Sequence, residues 1–213
     1  KIKQGKLFGP GAYDMKAGLV LTLFALEAIA ALEVSPEVSP VLLINSDEEI
    51  GSRESTPYIQ RLAQKAERAL VMEPSLGLRG KIKTQRKGVG RFVIRAIGQA
   101  AHAGLDPEKG ISAILELTFI VQQLFDLNDA QRGITVNVGT IDGGLRPNVI
   151  APEAKAVVDV RVLNPDDARR IEIAIRSLQP TMTGSQIVVE GRFGRPPMVK
   201  TPGSEQLWLQ AQQ

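Results

Sequence analysis

Apolar residues follow two different patterns along these 213 residues. In the first third they come in unbroken runs: a long one from Gly18 to Leu32, and short ones at Val41 to Asn45 and Ala69 to Met72. A short run of Val, Leu and Ile closed by a turn signal predicts a strand buried on both faces, as in a parallel sheet. Gly18 to Leu32 reads as a core helix, because Leu19, Leu23, Leu26 and Ala30 fill one face while Val20, Leu21, Phe24 and Ile29 fill others. Ser35 to Pro40 ends that helix, and Thr56 with Pro57 offers an N-cap for a second one carrying Tyr58, Ile59, Leu62 and Ala66. The β-α-β succession predicts a mostly parallel sheet with a right-handed crossover, placing Glu49 and Glu73 at one edge.

From Gly88 the pattern changes to alternation. Val89, Arg91, Val93, Arg95 and Ile97 interleave with Gly90, Phe92, Ile94 and Ala96. A helix is expected from about Gly110 to Leu127, with Ile111, Ile114, Leu115, Thr118, Val121, Leu124 and Phe125 on its buried stripe. Strands at Ile134 to Ile141 and Ala154 to Val162 follow, then a helix capped by Asn164-Pro165 and reaching about Leu178, then a strand from Gln186 to Glu190. The order β-α-β-β-α-β is that of a ferredoxin-like unit. The expected fold class is therefore α/β: a mixed sheet with flanking helices, seen in part, plus an inserted ferredoxin-like domain. The corresponding segments are 1–87, 88–194, and 195–213 as a return to the first domain, where Ser204, Leu207, Trp208 and Ala211 suggest a helix.

Composition narrows the function. A chain that is 43% hydrophobic and 23% charged is ordinary for a soluble globular protein. A net charge of +3, with six Phe, two Tyr and one Trp, argues against nucleic acid as a partner. Without cysteine there is neither a disulfide framework nor a thiolate metal site, and the compartment stays open with a lean to the cytoplasm. The longest apolar stretch is shorter than the ~20 residues a bilayer needs and carries Glu27, so no membrane partner is expected, and Lys1 to Lys6 shows no signal peptide.

The candidate chemistry lies where apolar runs end. Leu42-Leu43-Ile44 leads into Asp47-Glu48-Glu49 and Gly51; Ala69 to Met72 leads into Glu73-Pro74; and Gly9 to Gly18 is a glycine-rich turn that sets Asp14 ahead of the long helix. An acidic triplet alone is usually a solvated turn. Three such ends delivering Asp14, Glu48, Glu49 and Glu73 to one place would instead suit a divalent metal of hard or borderline character.

GPGAYDMKAG, DEEIGS and MEP, in this order and spacing, resemble the M20 family of dinuclear zinc peptidases and amidohydrolases, such as glutamate carboxypeptidase, acetylornithine deacetylase and succinyl-diaminopimelate desuccinylase. The resemblance implies that Asp14 bridges two zinc ions, Glu49 ligates one and Glu73 the other, with cobalt or manganese as other metals such a site takes. It implies that Glu48 is the general base and acid in hydrolysing an amide of a small peptide or N-acyl amino acid, in the carboxypeptidase manner. The domain at 88–194 would be a lid through which the protein forms a homodimer.

Read as a residue, His102 in GQAAHAG is a surface or structural histidine. The resemblance instead makes it a catalytic imidazole donating to the developing oxyanion in the other subunit's site. It also makes Asn148 a substrate contact and Arg161, 13 positions further on (148 to 161), the holder of the substrate carboxylate. The family's two metal-binding histidines, one in an H-x-D segment upstream and one near the far end, have no counterpart here. This implies a stretch cut at both ends that binds zinc weakly or not at all and does not turn over substrate alone. The alternative is a catalytically inactive homologue acting as a dimerising or ligand-binding protein. A third reading is an α/β domain with a ferredoxin-like regulatory module and no catalysis.

Overall fold

The computed structural model describes residues 1–212; Gln213, the end of the expected third segment, lies outside them. The chain divides into two compact units, Lys1–Lys81 and Ile82–Gln213.

The first unit opens with a small antiparallel hairpin, β1 (Ile2–Lys3) and β2 (Lys6–Leu7). A π-helical turn at Ala12–Lys16 runs into α1 (Ala17–Ala31), and α2 (Thr56–Ala63) follows the acidic turn. The expected strands at 41–45 and 69–72 are a correction: neither run carries strand pairing among the described residues, so the parallel sheet is not formed. Val41, Ile44, Leu70 and Val71 are exposed instead. An apolar run signals a tendency to be buried, but it becomes a strand only when a neighbour satisfies its N–H and C=O groups. For the same reason α1 is not sandwiched: Gly18 is its only buried residue, and Leu21, Leu23 and Phe24 face outward.

Gly18 marks the closest approach of backbone to any glycine of this unit. A Cβ there would lie 1.8 Å from the Met72 carbonyl oxygen, so only glycine lets the 69–73 segment lie across the start of α1. Around the acidic turn, Asp47 accepts from the N–H groups of Glu54 (2.9 Å) and Ser55 (3.0 Å) and from Asn45 Nδ2 (3.1 Å). Thr56, expected as the N-cap of α2, is its first residue, and its hydroxyl donates to the Ser52 carbonyl. The N-terminal region of α2 is thus served from a distance by Asp47. Hydrogen bonds to Ser55 first, and then to Asn45 and Glu54, hold the Asp47 carboxyl at about 2.

The second unit is built on β3 (Gly88–Ile97), β4 (Thr135–Gly143), β5 (Glu153–Val162) and β6 (Gln186–Arg195), all antiparallel in the order β4-β5-β3-β6. With α3 (Ala113–Asp126) after β3 and α4 (Pro165–Arg176) after β5, this is the expected ferredoxin-like unit. Alternate residues of β3 and β5, among them Phe92, Ile94, Val158 and Val160, meet Ile120, Leu124, Ile171 and Ile175 from the helices in one core. Asn164 caps α4 as expected, its Oδ1 accepting from the Asp167 N–H at 2.8 Å. A last helix, α5 (Pro202–Ala211), starts from a Thr201–Ser204 capping box and groups with this unit.

The stripe expected for α3 is corrected. Its buried face is Ala113, Glu116, Leu117, Ile120 and Leu124, whereas Ile114, Leu115 and Phe125 are exposed. Apolar residues occupy both sides of this helix, and the decisive position is a charge. Glu116 is fully buried; its carboxylate accepts from the N–H groups of Thr181 (2.8 Å) and Met182 (2.7 Å) and from Ser185 Oγ (2.7 Å), tying α3 to the loop before β6. Burial pushes this carboxyl up, and the three donors outweigh it, so the net direction is down. Asp167 is likewise fully buried and held down against burial by Arg132, Asn164 and Arg170.

Because the folded value of Glu116 lies below its ordinary 4.5, its contribution is complete above that pH and is lost as pH falls through the folded value. Glu116→Leu, which leaves three donors unmatched, should lower the unfolding free energy by about 3 kcal/mol in urea titrations at pH 7. No change would contradict the tie. Asp47→Ala should speed amide hydrogen exchange at Glu54 and Ser55 roughly tenfold at neutral pH. The unsubstituted turn should loosen only as pH falls from 3.8 toward about 2.

Candidate functional site

In the first unit the candidate carboxylates sit on three turns. Asp14 lies in the turn ahead of α1, is exposed, and is joined to Met15 by a cis peptide bond. Glu48 (half-buried) and Glu49 (exposed) form the one-turn helix Glu48–Ile50 directly after Asp47, closed by Gly51 in the left-handed region (φ 96°). Glu73, half-buried, follows the Met72 carbonyl that rests on Gly18. The contact at Gly18 therefore brings the Glu73 segment to the end of α1 that Asp14 precedes.

A two-zinc site asks for more donors than these. Catalytic zinc built without thiolates is held by imidazole with or without carboxylate, and this chain's only histidine belongs to the second unit. Among the described residues no three His, Cys, Asp or Glu side chains stand together as a metal-holding group. The donors present do not by themselves fit a dinuclear zinc centre.

In the second unit two segments remote in sequence lie side by side at one end of the sheet. Ile150 N–H donates to Ala101 O (2.9 Å), Ala103 N–H donates to Asn148 O (3.0 Å), and His102 bridges Val149. The structure thus brings His102 and Asn148 together, both exposed. Small residues are required here: a Cβ at Gly98 would lie 2.0 Å from the Ile111 carbonyl oxygen, and one at Gly110 would lie 2.3 Å from the Ile150 side chain. The His102 ring is turned back on its own loop, with Nδ1 accepting from the N–H groups of Gly104 and Leu105, each at 3.1 Å.

Arg161 is not brought to that pair. Ile97 pairs with Glu153 at the His102 end of the sheet, whereas Arg161 pairs with Val89 and Thr135 at the other. From position 153 to 161 along β5 is about 25 Å at the usual strand rise. Its guanidinium is already forked onto Asp159, Nε to Oδ1 at 2.7 Å and Nη2 to Oδ2 at 3.2 Å, and this partner raises its already high pKa. Asp159 and Asp47 are the residues that sequence reasoning missed. An i, i+2 spacing on a strand signals a shared face and could have pointed to Asp159; Asp47 carried no comparable signal.

Among the described residues no helix is long and apolar enough to cross a membrane. Residues 84–180 match the model of the M20 peptidase dimerisation domain. Carboxypeptidase G2 of Pseudomonas sp. (strain RS-16) is 27% identical over 209 residues, covering 97% of this chain and 50% of that protein. A peptidase M20 domain-containing protein of Schizosaccharomyces pombe is 32% identical over 168 residues, covering 76% of this chain and 40% of that protein. The chain thus spans half or less of the length of these relatives. The crystal structure of aminopeptidase PepT from Bacillus cereus shares the fold, with a TM-score of 0.74 at 21% identity over 98% of this chain and 57% of that one. The PepT likeness shows the fold, and the family-model match together with the M20 relatives shows that the chain belongs to the M20 peptidase family.

Proposed function

We propose that this chain is the part of a metal-dependent hydrolase that carries its general base and its lid. The complete protein would cleave an amide bond of a small peptide or N-acyl amino acid in the carboxypeptidase manner. The observation that carries this reading is the packing of Met72 on Gly18, which draws the carboxylate turns of Asp14 and Glu73 toward one end of α1. Two zinc ions, or cobalt or manganese in their place, are the proposed cofactor of the complete protein. Asp14, Glu49 and Glu73 would be the ligands from this chain, joined by imidazoles from outside it. The proposed division runs 1–87 and 195–213 for the metal-binding domain and 88–194 for the lid.

Glu48 is assigned to accept the proton of the attacking water and pass it to the leaving amine. Its place supports this: it is half-buried in the turn that Asp47 organises. His102 is assigned as donor to the developing oxyanion, and Asn148 and Arg161 as substrate contacts, Arg161 exchanging Asp159 for the substrate carboxylate.

The family's dimerisation domain supports a homodimer. Strand β4 is an unpaired edge, and Ile114, Leu115 and Phe125 on α3 with Ile141 on β4 leave apolar surface beside it. The span of β5 supports it independently. If Arg161 and the His102–Asn148 pair touch one small substrate, ~25 Å of strand requires that they come from two copies.

In the complete protein, chelator should abolish hydrolysis of N-acyl amino acids, and Glu48→Gln should lower kcat by roughly 10²- to 10⁴-fold with unchanged folding. Full turnover by the Glu48→Gln protein would refute the assignment. His102→Ala and Arg161→Ala proteins should each be inactive as separate preparations. Mixed and allowed to exchange subunits, they should recover roughly a quarter of wild-type activity, since half the dimers are mixed and one of their two sites is intact. No recovery would mean that both residues act from one copy.

A further inference from the structure

The chain's lone histidine is held by its own loop in a way that the hydrolase reading does not by itself require. Nδ1 of His102 faces two N–H donors, those of Gly104 and Leu105, both at 3.1 Å. The His102 carbonyl also accepts from Asp106 N–H (3.1 Å) and, more weakly, from Leu105 N–H (3.3 Å). The ring therefore caps the 102–106 turn much as an Asn or Asp side chain caps an Asx turn. A neutral imidazole has one nitrogen that donates and one that accepts, and the partners of one nitrogen decide the state of the other. With two donors aimed at Nδ1, a proton there would leave three donors facing one another.

We infer that Gly104 and Leu105 are positioning residues whose N–H groups lock His102 as the Nε2–H tautomer, presenting one fixed donor to an anionic or carbonyl oxygen. Gly104 suits this role: a Cβ there would approach the ring only to van der Waals distance, 3.6 Å from Cε1 and 3.7 Å from Nδ1, so the loop wraps the imidazole without strain. The surrounding frame is hydrogen-bonded on both sides, Ile150 N–H donating to Ala101 O and Ala103 N–H to Asn148 O. That the locked donor serves an oxyanion rests on the hydrolase reading; the lock itself does not.

A single histidine makes the test direct. In the ¹⁵N-labelled 213-residue chain, at a pH where the ring is neutral, long-range ¹H–¹⁵N spectra should show Nδ1 wholly unprotonated and Nε2 protonated, with couplings across the hydrogen bonds from Nδ1 to the amide nitrogens of Gly104 and Leu105. Averaged nitrogen signals without those couplings, or a protonated Nδ1, would overturn the lock. His102→Asn keeps an acceptor near the place of Nδ1 and removes the Nε2 donor, so Gly104 and Leu105 amide exchange should stay slow, whereas in His102→Ala it should quicken roughly tenfold. Equal exchange in the two variants would also count against the lock. In the complete protein, His102→Asn with a protected turn and lost turnover supports the oxyanion role. Retained turnover would refute that role while leaving the tautomer assignment to the spectra.

Discussion

Backbone laid directly against glycine holds both segments on which the functional reading depends. At Gly18 a carbonyl sits where a Cβ would be, 1.8 Å from its ideal position, and at Gly98 the Ile111 carbonyl does the same at 2.0 Å. Close-packed interiors cannot absorb an added methyl at such distances, so each contact admits one residue type. The first fixes the Glu73 segment against the start of α1; the second fixes the root of the loop that carries His102. Asp14, Glu49 and His102 stay exposed, and Glu48 and Glu73 half-buried.

Buried charge does a different task. Glu116 and Asp167 are fully buried and fully partnered, and each joins elements remote in sequence: α3 to the loop before β6, and α4 to Arg132 ahead of β4. Such a group weighs little in net stability but heavily against alternative packings, since any other arrangement strands a carboxylate among unmatched donors. In this way the ferredoxin-like unit fixes the rotation of α3 and leaves Ile114, Leu115 and Phe125 outside.

The sequence carried the second unit well because its signals are local. Alternation named β3, and Asn164-Pro165 named the start of α4. The rotation of α3 was misread because apolar residues lie on both its sides and the partners of Glu116 are 65 to 69 positions away. In the first unit the apolar runs at 41–45 and 69–72 announced burial without saying against what, and no pairing partner stands beside them among the described residues. The acidic motif was readable as a motif. That Asp47 turns inward to brace it, that His102 and Asn148 meet, and that Arg161 stands at the far end of β5 all depend on pairings that no short window contains.

The approach of Met72 to Gly18 brings the Glu73 segment to the start of α1, and the proposed metal site of the complete protein depends on that contact. Zinc content and turnover of the Gly18→Ala form of the complete protein test it most directly, with the dimeric state as a control for the lid. The account predicts that zinc and activity are lost together while the dimer persists; a Gly18→Ala protein retaining both at wild-type levels would contradict it.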